Sequence, residues 1–152
     1  MINVNNMPAD IEAIGGVIDP DVTAAGTATT GWVEAADFYT WMAIVLAGTL
    51  GTSATVDAKI EQASDGSGTG AKDITGAAIT QLTQAGTDSD KQALIQFRSD
   101  DLDVDNSFTH VRLSVTVAVA TSDIAGVLVG VGPRYGPASD SDASTVAEIV
   151  TV

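Results

Sequence analysis

From Thr27 onward apolar and polar side chains alternate with a period of two, the rhythm of a strand that buries one face. The clearest case is Val111, Leu113, Val115, Val117 and Val119, interleaved with Arg112, Ser114, Thr116, Ala118 and Ala120. One face of that stretch is apolar and the other small or polar, as in a half-buried antiparallel strand. Val56, Ala58 and Ile60 alternate likewise with Asp57, Lys59 and Glu61, and Ala93, Ile95 and Phe97 with Leu94, Gln96 and Arg98. The spacing predicts strands over residues 27–33, 39–50, 55–63, 79–85, 92–99, 109–121, 124–132 and 145–152, with no helices between them.

Turn chemistry separates these runs: Asp65 through Gly70, Gly86 through Asp90, Asp100 through Asn106, and Gly132 through Pro137. Eight short strands with Gly- and Asp-rich turns predict an all-β, eight-stranded antiparallel sandwich over 27–152. A jelly roll is the first choice because two Greek keys require eight strands, with an immunoglobulin-like sandwich second. Residues 1–26 hold neither period, and Pro8, Gly15, Gly16, Pro20 and Gly26 break them up. They read as an extended N-terminal arm with one helical turn near Ala9–Ala13, either disordered when free or ordered by a neighbouring subunit.

At 152 residues the chain suits one core, and its apolar content is mostly Ala, Val, Ile and Leu, which pack closely between sheets. The absence of cysteine removes disulfides, thiolate metal sites and thiol nucleophiles. Six Lys and Arg against twenty Asp and Glu give a formal charge of −14, which argues against a nucleic-acid partner. That charge suits either plain solubility or an outward-facing acidic surface. The first ten residues lack a basic stretch and an apolar one, and no apolar run approaches a membrane span. The expectation is a protein made in the cytoplasm with no membrane partner.

Candidate chemistry was weighed segment by segment. Gly66 through Asp73 has the glycines of a phosphate loop, but Ala71 precedes Lys72 and Asp73 replaces the hydroxyl residue that would bind magnesium. Asp101, Asp103 and Asp105 alternate as in an EF-hand, yet Asn106 and Arg112 stand where glycine and glutamate are needed. Asp100, Asp101, Asp103 and Asp105 therefore offer a loose calcium site or a solvated acidic turn. His110, the single histidine, has no triad or metal partner nearby in sequence. Trp32, Phe38, Tyr39 and Trp41 gather within ten residues and suit a carbohydrate platform, an interface anchor or a sandwich core. Neither a catalytic residue, a metal ligand nor a cofactor is expected.

The order Gly31-Trp32-Val33 with Phe38, Ala54 through Ala63, Gly68 through Ile74, Ile79 through Leu82, Arg98 through Leu102, and Pro133-Arg134-Tyr135 resembles decoration (cement) proteins encoded in the head-gene cassettes of tailed bacteriophages. The resemblance spans residues 28–138. It implies a non-enzymatic virion protein on the outer surface of the head, jelly-roll-like and homotrimeric, seated between capsomers of the major capsid protein. The interface expected on that footing uses Met7, Ile11 and Ile14 from the arm with Trp32, Tyr39, Arg134 and Tyr135. A tail-tube or head-completion protein and a carbohydrate-binding host-attachment module are the alternative readings.

Overall fold

The computed structural model describes residues 7–138 and 146–150. A helical turn, α1 (Pro8–Ile11), leads into ten strands: β1 (Glu12–Thr23), β2 (Gly26–Thr29), β3 (Val33–Glu34), β4 (Phe38–Ala47), β5 (Thr55–Ala63), β6 (Lys72–Ala78), β7 (Leu82–Thr83), β8 (Gln92–Arg98), β9 (His110–Ala118) and β10 (Ser122–Pro133). They form two antiparallel sheets, one ordered β1-β10-β4-β8 and the other β2-β9-β5-β6, with β3 on β9 and β7 on β5. Setting aside the two-residue strands, eight remain. In chain order the first sheet holds the first, eighth, third and sixth, and the second holds the second, seventh, fourth and fifth. Two Greek keys wound together give that order, which is the jelly roll.

Alternation decides which side chains enter the core. In β9 Val111, Leu113, Val115 and Val117 are buried, and in β5 Val56, Ala58 and Ile60. Across the sandwich they meet Trp41, Ala43 and Val45 of β4, Ile95 and Phe97 of β8, and Ile124 and Leu128 of β10. Ile60, Leu113 and Leu128 are completely buried, each contributing about 1.5–3 kcal/mol of transfer free energy. Phe38 meets Trp41 edge-on at 5.2 Å, and Trp41 lies nearly parallel to Phe97 at 6.4 Å. Small residues on neighbouring strands admit these rings: a Cβ at Gly130 would lie 2.6 Å from Phe38, and one at Gly15 2.8 Å from Trp41.

A polar cluster around Ser99 is closed inside the sandwich. Trp41 Nε1 donates to Ser99 Oγ at 3.2 Å and lies 3.4 Å from the Ala35 carbonyl, while Ser99 Oγ reaches the carbonyls of Ala35 and Phe38 at 2.7 and 2.6 Å. It ties β4 to the turn after β8, and burial without such partners would cost about 1–3 kcal/mol per group.

Three expectations change. Residues 1–26 are not a free arm: Glu12–Thr23 is β1, paired with β10 from Glu12–Val131 to Thr23–Ser122. Register shifts between Ile14 and Gly16 and between Ile18 and Asp21 break its alternation, so no period of two is visible there. Among the described residues of this stretch, Met7, the helical turn and Ala24–Ala25 lie outside the strands; residues 1–6 fall outside the described residues. Second, the strand expected over 79–85 lies earlier, as β6, with β7 a remnant. Its buried positions, Ile74 and Ala77, are three apart because Gly76 adopts φ +83° between them. Third, Val146–Val150 forms no strand, and the remainder of the stretch expected over 145–152 lies outside the described residues.

Candidate functional site

The register of the first sheet lines up its outward side chains in rows. Val17 pairs with Val127, Val127 with Ile44, and Ile44 with Leu94, so one apolar row crosses all four strands. The next row is Ile14, Val129, Met42 and Gln96, and beyond it Glu12, Val131, Thr40 and Arg98. On the other side Ala125 pairs with Leu46 and Leu46 with Gln92. Leu94 and Leu46 are 56% and 39% exposed, most of the rest are half-buried, and Val146 and Ile149 lie beside Ile14 and Val129 around a shared cleft. This outward face is apolar at its centre, with Glu12 and Arg98 at its two edges and Asp123 of β10 at one end.

The second sheet turns a different face outward. Lys59 bridges Glu61 at 3.2 Å and Asp73 at 2.7 Å, and Arg112 binds Glu61 at 2.7 Å. The hydrogen bond from Lys59 to Asp73 raises the lysine pKa above its ordinary value. Arg112 also lies over the Trp32 ring at 4.4 Å. Trp32 is therefore half-buried within this polar face.

Of the seven residues expected at an interface, five gather at one end of the first sheet. Glu12 sits opposite Val131, which sits opposite Thr40, while Pro133 faces Phe38. That register brings Met7 and Ile11, just ahead of β1, level with Tyr39 on β4 and with Arg134 and Tyr135 after β10. Tyr39 is 57% exposed, Tyr135 83% and Met7 44%. Arg134 covers the Tyr39 ring at 4.8 Å, donates its backbone N–H to the Asp37 carbonyl at 2.8 Å and reaches Asp100 at 3.9 Å. Ile14 belongs to the adjoining outer face, and Trp32 lies on the other sheet. The four clustered aromatics do not make one platform, since Phe38 and Trp41 are core residues and Trp32 and Tyr39 diverge.

The remaining candidates have structural partners. Asp103 accepts from Lys72 and from Asn106, Asp101 accepts the Arg98 N–H, and Asp100 faces Arg134. The Lys72 hydrogen bond holds the Asp103 carboxyl below the usual range, Asn106 adding to it. Among the described residues no three His, Cys, Asp or Glu converge as a metal site. Asp65 organises the glycine-rich loop, accepting from the Ser67 and Thr69 amides and the Thr69 hydroxyl. The Thr69 hydroxyl, then its amide, lower the Asp65 pKa. His110 Nδ1 shares a hydrogen bond with the Thr109 hydroxyl at 2.9 Å. No helix among the described residues is long and apolar enough to cross a membrane.

The apolar outer face was legible in the sequence but was not read there. β4, FYTWMAIVLA, is apolar at eight of its ten positions, all but Tyr39 and Thr40, and β10 places Val127, Val129 and Val131 between its inward residues. Strands apolar on both alternating sets are covered on both faces in folded proteins.

No protein-family model matches the chain, and no curated protein does. Among solved structures the chain is similar to one of broad bean stain virus (12% identity, TM-score 0.44, 93% of this chain and 98% of that one). It is also similar to one of infectious bursal disease virus, Gt strain (10%, 0.43, 83% and 32%), and to a CBM4 structure (17%, 0.36, 70% and 61%).

Proposed function

We propose that this chain is a structural virion protein that decorates and stabilises the head of a tailed phage, binding between capsomers on its outer surface as a symmetric homotrimer. The observation that carries the reading is the end patch of the first sheet, where Met7, Tyr39 and Tyr135 stand exposed around Arg134. Exposed tyrosines bring large contact area with little side-chain entropy to lose, and Tyr and Arg dominate the strongest positions of protein interfaces. Behind them stands a closely packed sandwich whose buried polar side chains, among the described residues, are Thr30, Gln62, Ser99, Ser114 and Ser122. Its mechanism is buried surface. The partner is the major capsid protein, and three copies of one modest footprint multiply through effective concentration.

The test is co-sedimentation of the purified chain with heads lacking it, comparing the parent with the Tyr39→Ser, Tyr135→Ser double variant. The expected result is a drop in apparent affinity of about tenfold or more with the fold unchanged by circular dichroism. Equal occupancy by the variant would reject the patch as the docking site.

A further inference from the structure

We propose that the free edge of β8 pairs with β8 of a second copy of this chain, antiparallel about a two-fold axis through Leu94, so that the two first sheets become one continuous sheet. Within the chain β8 is bonded on one side only, to β4. Backbone groups point alternately to the two sides of a strand, and the Ala47 N–H donates to the Lys91 carbonyl at 2.9 Å, so the odd-numbered residues of β8 face β4. Gln92, Leu94, Gln96 and Arg98 turn their backbone groups the other way. The Arg98 N–H is held there by the Asp101 carboxylate at 2.8 Å. The N–H and C=O groups of Gln92, Leu94 and Gln96 have no partner among the described residues.

The other sheet edges are blunted against such pairing, as edges of folded proteins usually are. β1 carries Pro20 and two register shifts, β2 is four residues long, and β6 has Gly76 at φ +83° and a register shift against β5. β8 keeps a single register on β4 and holds no charge from Gln92 to Phe97. Register then selects the occupant. With Leu94 opposite Leu94 of the other copy, Gln92 falls opposite Gln96 on either side of the axis. Each of these pairs exchanges two hydrogen bonds, and every free group of the three residues in both copies is used. Moving the axis to Ile95 sets Gln92 against Arg98, and moving it to Ala93 sets Gln96 against Asp90. The N–H groups of Arg98 and Asp90 are already held, by Asp101 and by the Gly48 carbonyl. The Leu94 register also joins that leucine, 56% exposed, to its twin. It brings Asp90 of each copy level with Arg98 of the other, both exposed and neither in an ion pair among the described residues. The edge is complementary to itself, which a two-fold contact requires.

One short strand and a leucine pair make a small interface, so the association depends on concentration. Sedimentation equilibrium over a concentration series, with amide hydrogen exchange followed by NMR at both ends of the series, is the experiment. The mass should double with concentration. The Gln92, Leu94 and Gln96 amides should exchange fast in the dilute sample and slowly in the concentrated one, while Ala93 and Ile95 stay protected in both. Leu94→Pro removes the central N–H, and Leu94→Lys opposes two ammonium groups at the axis; each should abolish the doubling with the circular dichroism unchanged. Gln92→Glu combined with Gln96→Lys sets opposite charges across both flanking pairs and should tighten association by about twofold or more, whereas lysine at both positions should weaken it. A mass that never doubles overturns the proposal, as do a doubling that leaves those three amides fast and a charge pair that changes nothing. Heads still loaded by a chain that never doubles would sink this contact and leave the decoration reading standing.

Discussion

Replacing Gly130 by alanine separates what strand propensity expects from what the packing demands. Gly130 lies mid-strand in β10 opposite Trp41 and has no positive φ. Alanine there relieves the unfolded-state entropy of glycine and would by itself stabilise by about 0.5–1 kcal/mol. Its Cβ, however, would lie 2.6 Å from both Cγ and Cδ2 of Phe38 and 2.9 Å from Cε2. Phe38 is 2% exposed and packed edge-on against Trp41, which in turn lies against Phe97, so the ring can shift only by giving up those contacts. Overpacking of this kind costs about 1–3 kcal/mol, leaving a net loss of roughly 0.5–2 kcal/mol. With a urea slope of about 2 kcal/mol/M the midpoint falls by about 0.3–1 M at unchanged slope. Gly31→Ala, where a Cβ meets nothing within 4 Å, is the control and should hold or raise the midpoint. Phe38→Leu in the Gly130→Ala background should recover part of the loss, with a coupling of about 0.5–2 kcal/mol. A Gly130→Ala midpoint at or above the parent's refutes the reasoning.

Two further outcomes follow from buried and surface polar groups. Ser99→Ala strips the acceptor from Trp41 Nε1 and a donor from the Ala35 and Phe38 carbonyls, and should lower stability by about 1–3 kcal/mol in urea or thermal unfolding. Because hydrogen bonds from Thr69 hold the folded Asp65 carboxyl low, its contribution is complete above the ordinary carboxylate value and lost as pH falls through the folded one. Asp65→Asn should therefore flatten the loss of stability measured from about pH 5 to about pH 2, and an unchanged slope would refute the assignment.

The strands that read most plainly in the sequence are those whose two faces meet different surroundings. β5 begins and ends where the alternation predicts, and β8 and β9 lie within a few residues, because an apolar core on one side and solvent or ion pairs on the other enforce a period of two. β1 was hidden by its own irregularity, since its bulges place Gly15 and Gly16 inward together against Trp41 and Thr30. β6 was hidden by the φ of Gly76, which moves its buried positions from two apart to three. Tyr39, Arg134 and Tyr135, the residues proposed for docking, stand close because β4 and β10 are neighbours. Adjacency of strands 90 residues apart is set by topology, which no local spacing encodes. Trp32 lies by the opposite sheet, its ring under Arg112 of β9, for the same reason.

Imaging of single heads mixed with the purified chain tests the decoration reading most directly. Density for the jelly roll at fixed positions between capsomers, saturating at a constant copy number per capsomer and meeting the shell through the Tyr39–Tyr135 end, is the predicted result. Bare heads at saturating protein, or density confined to tails, would contradict it.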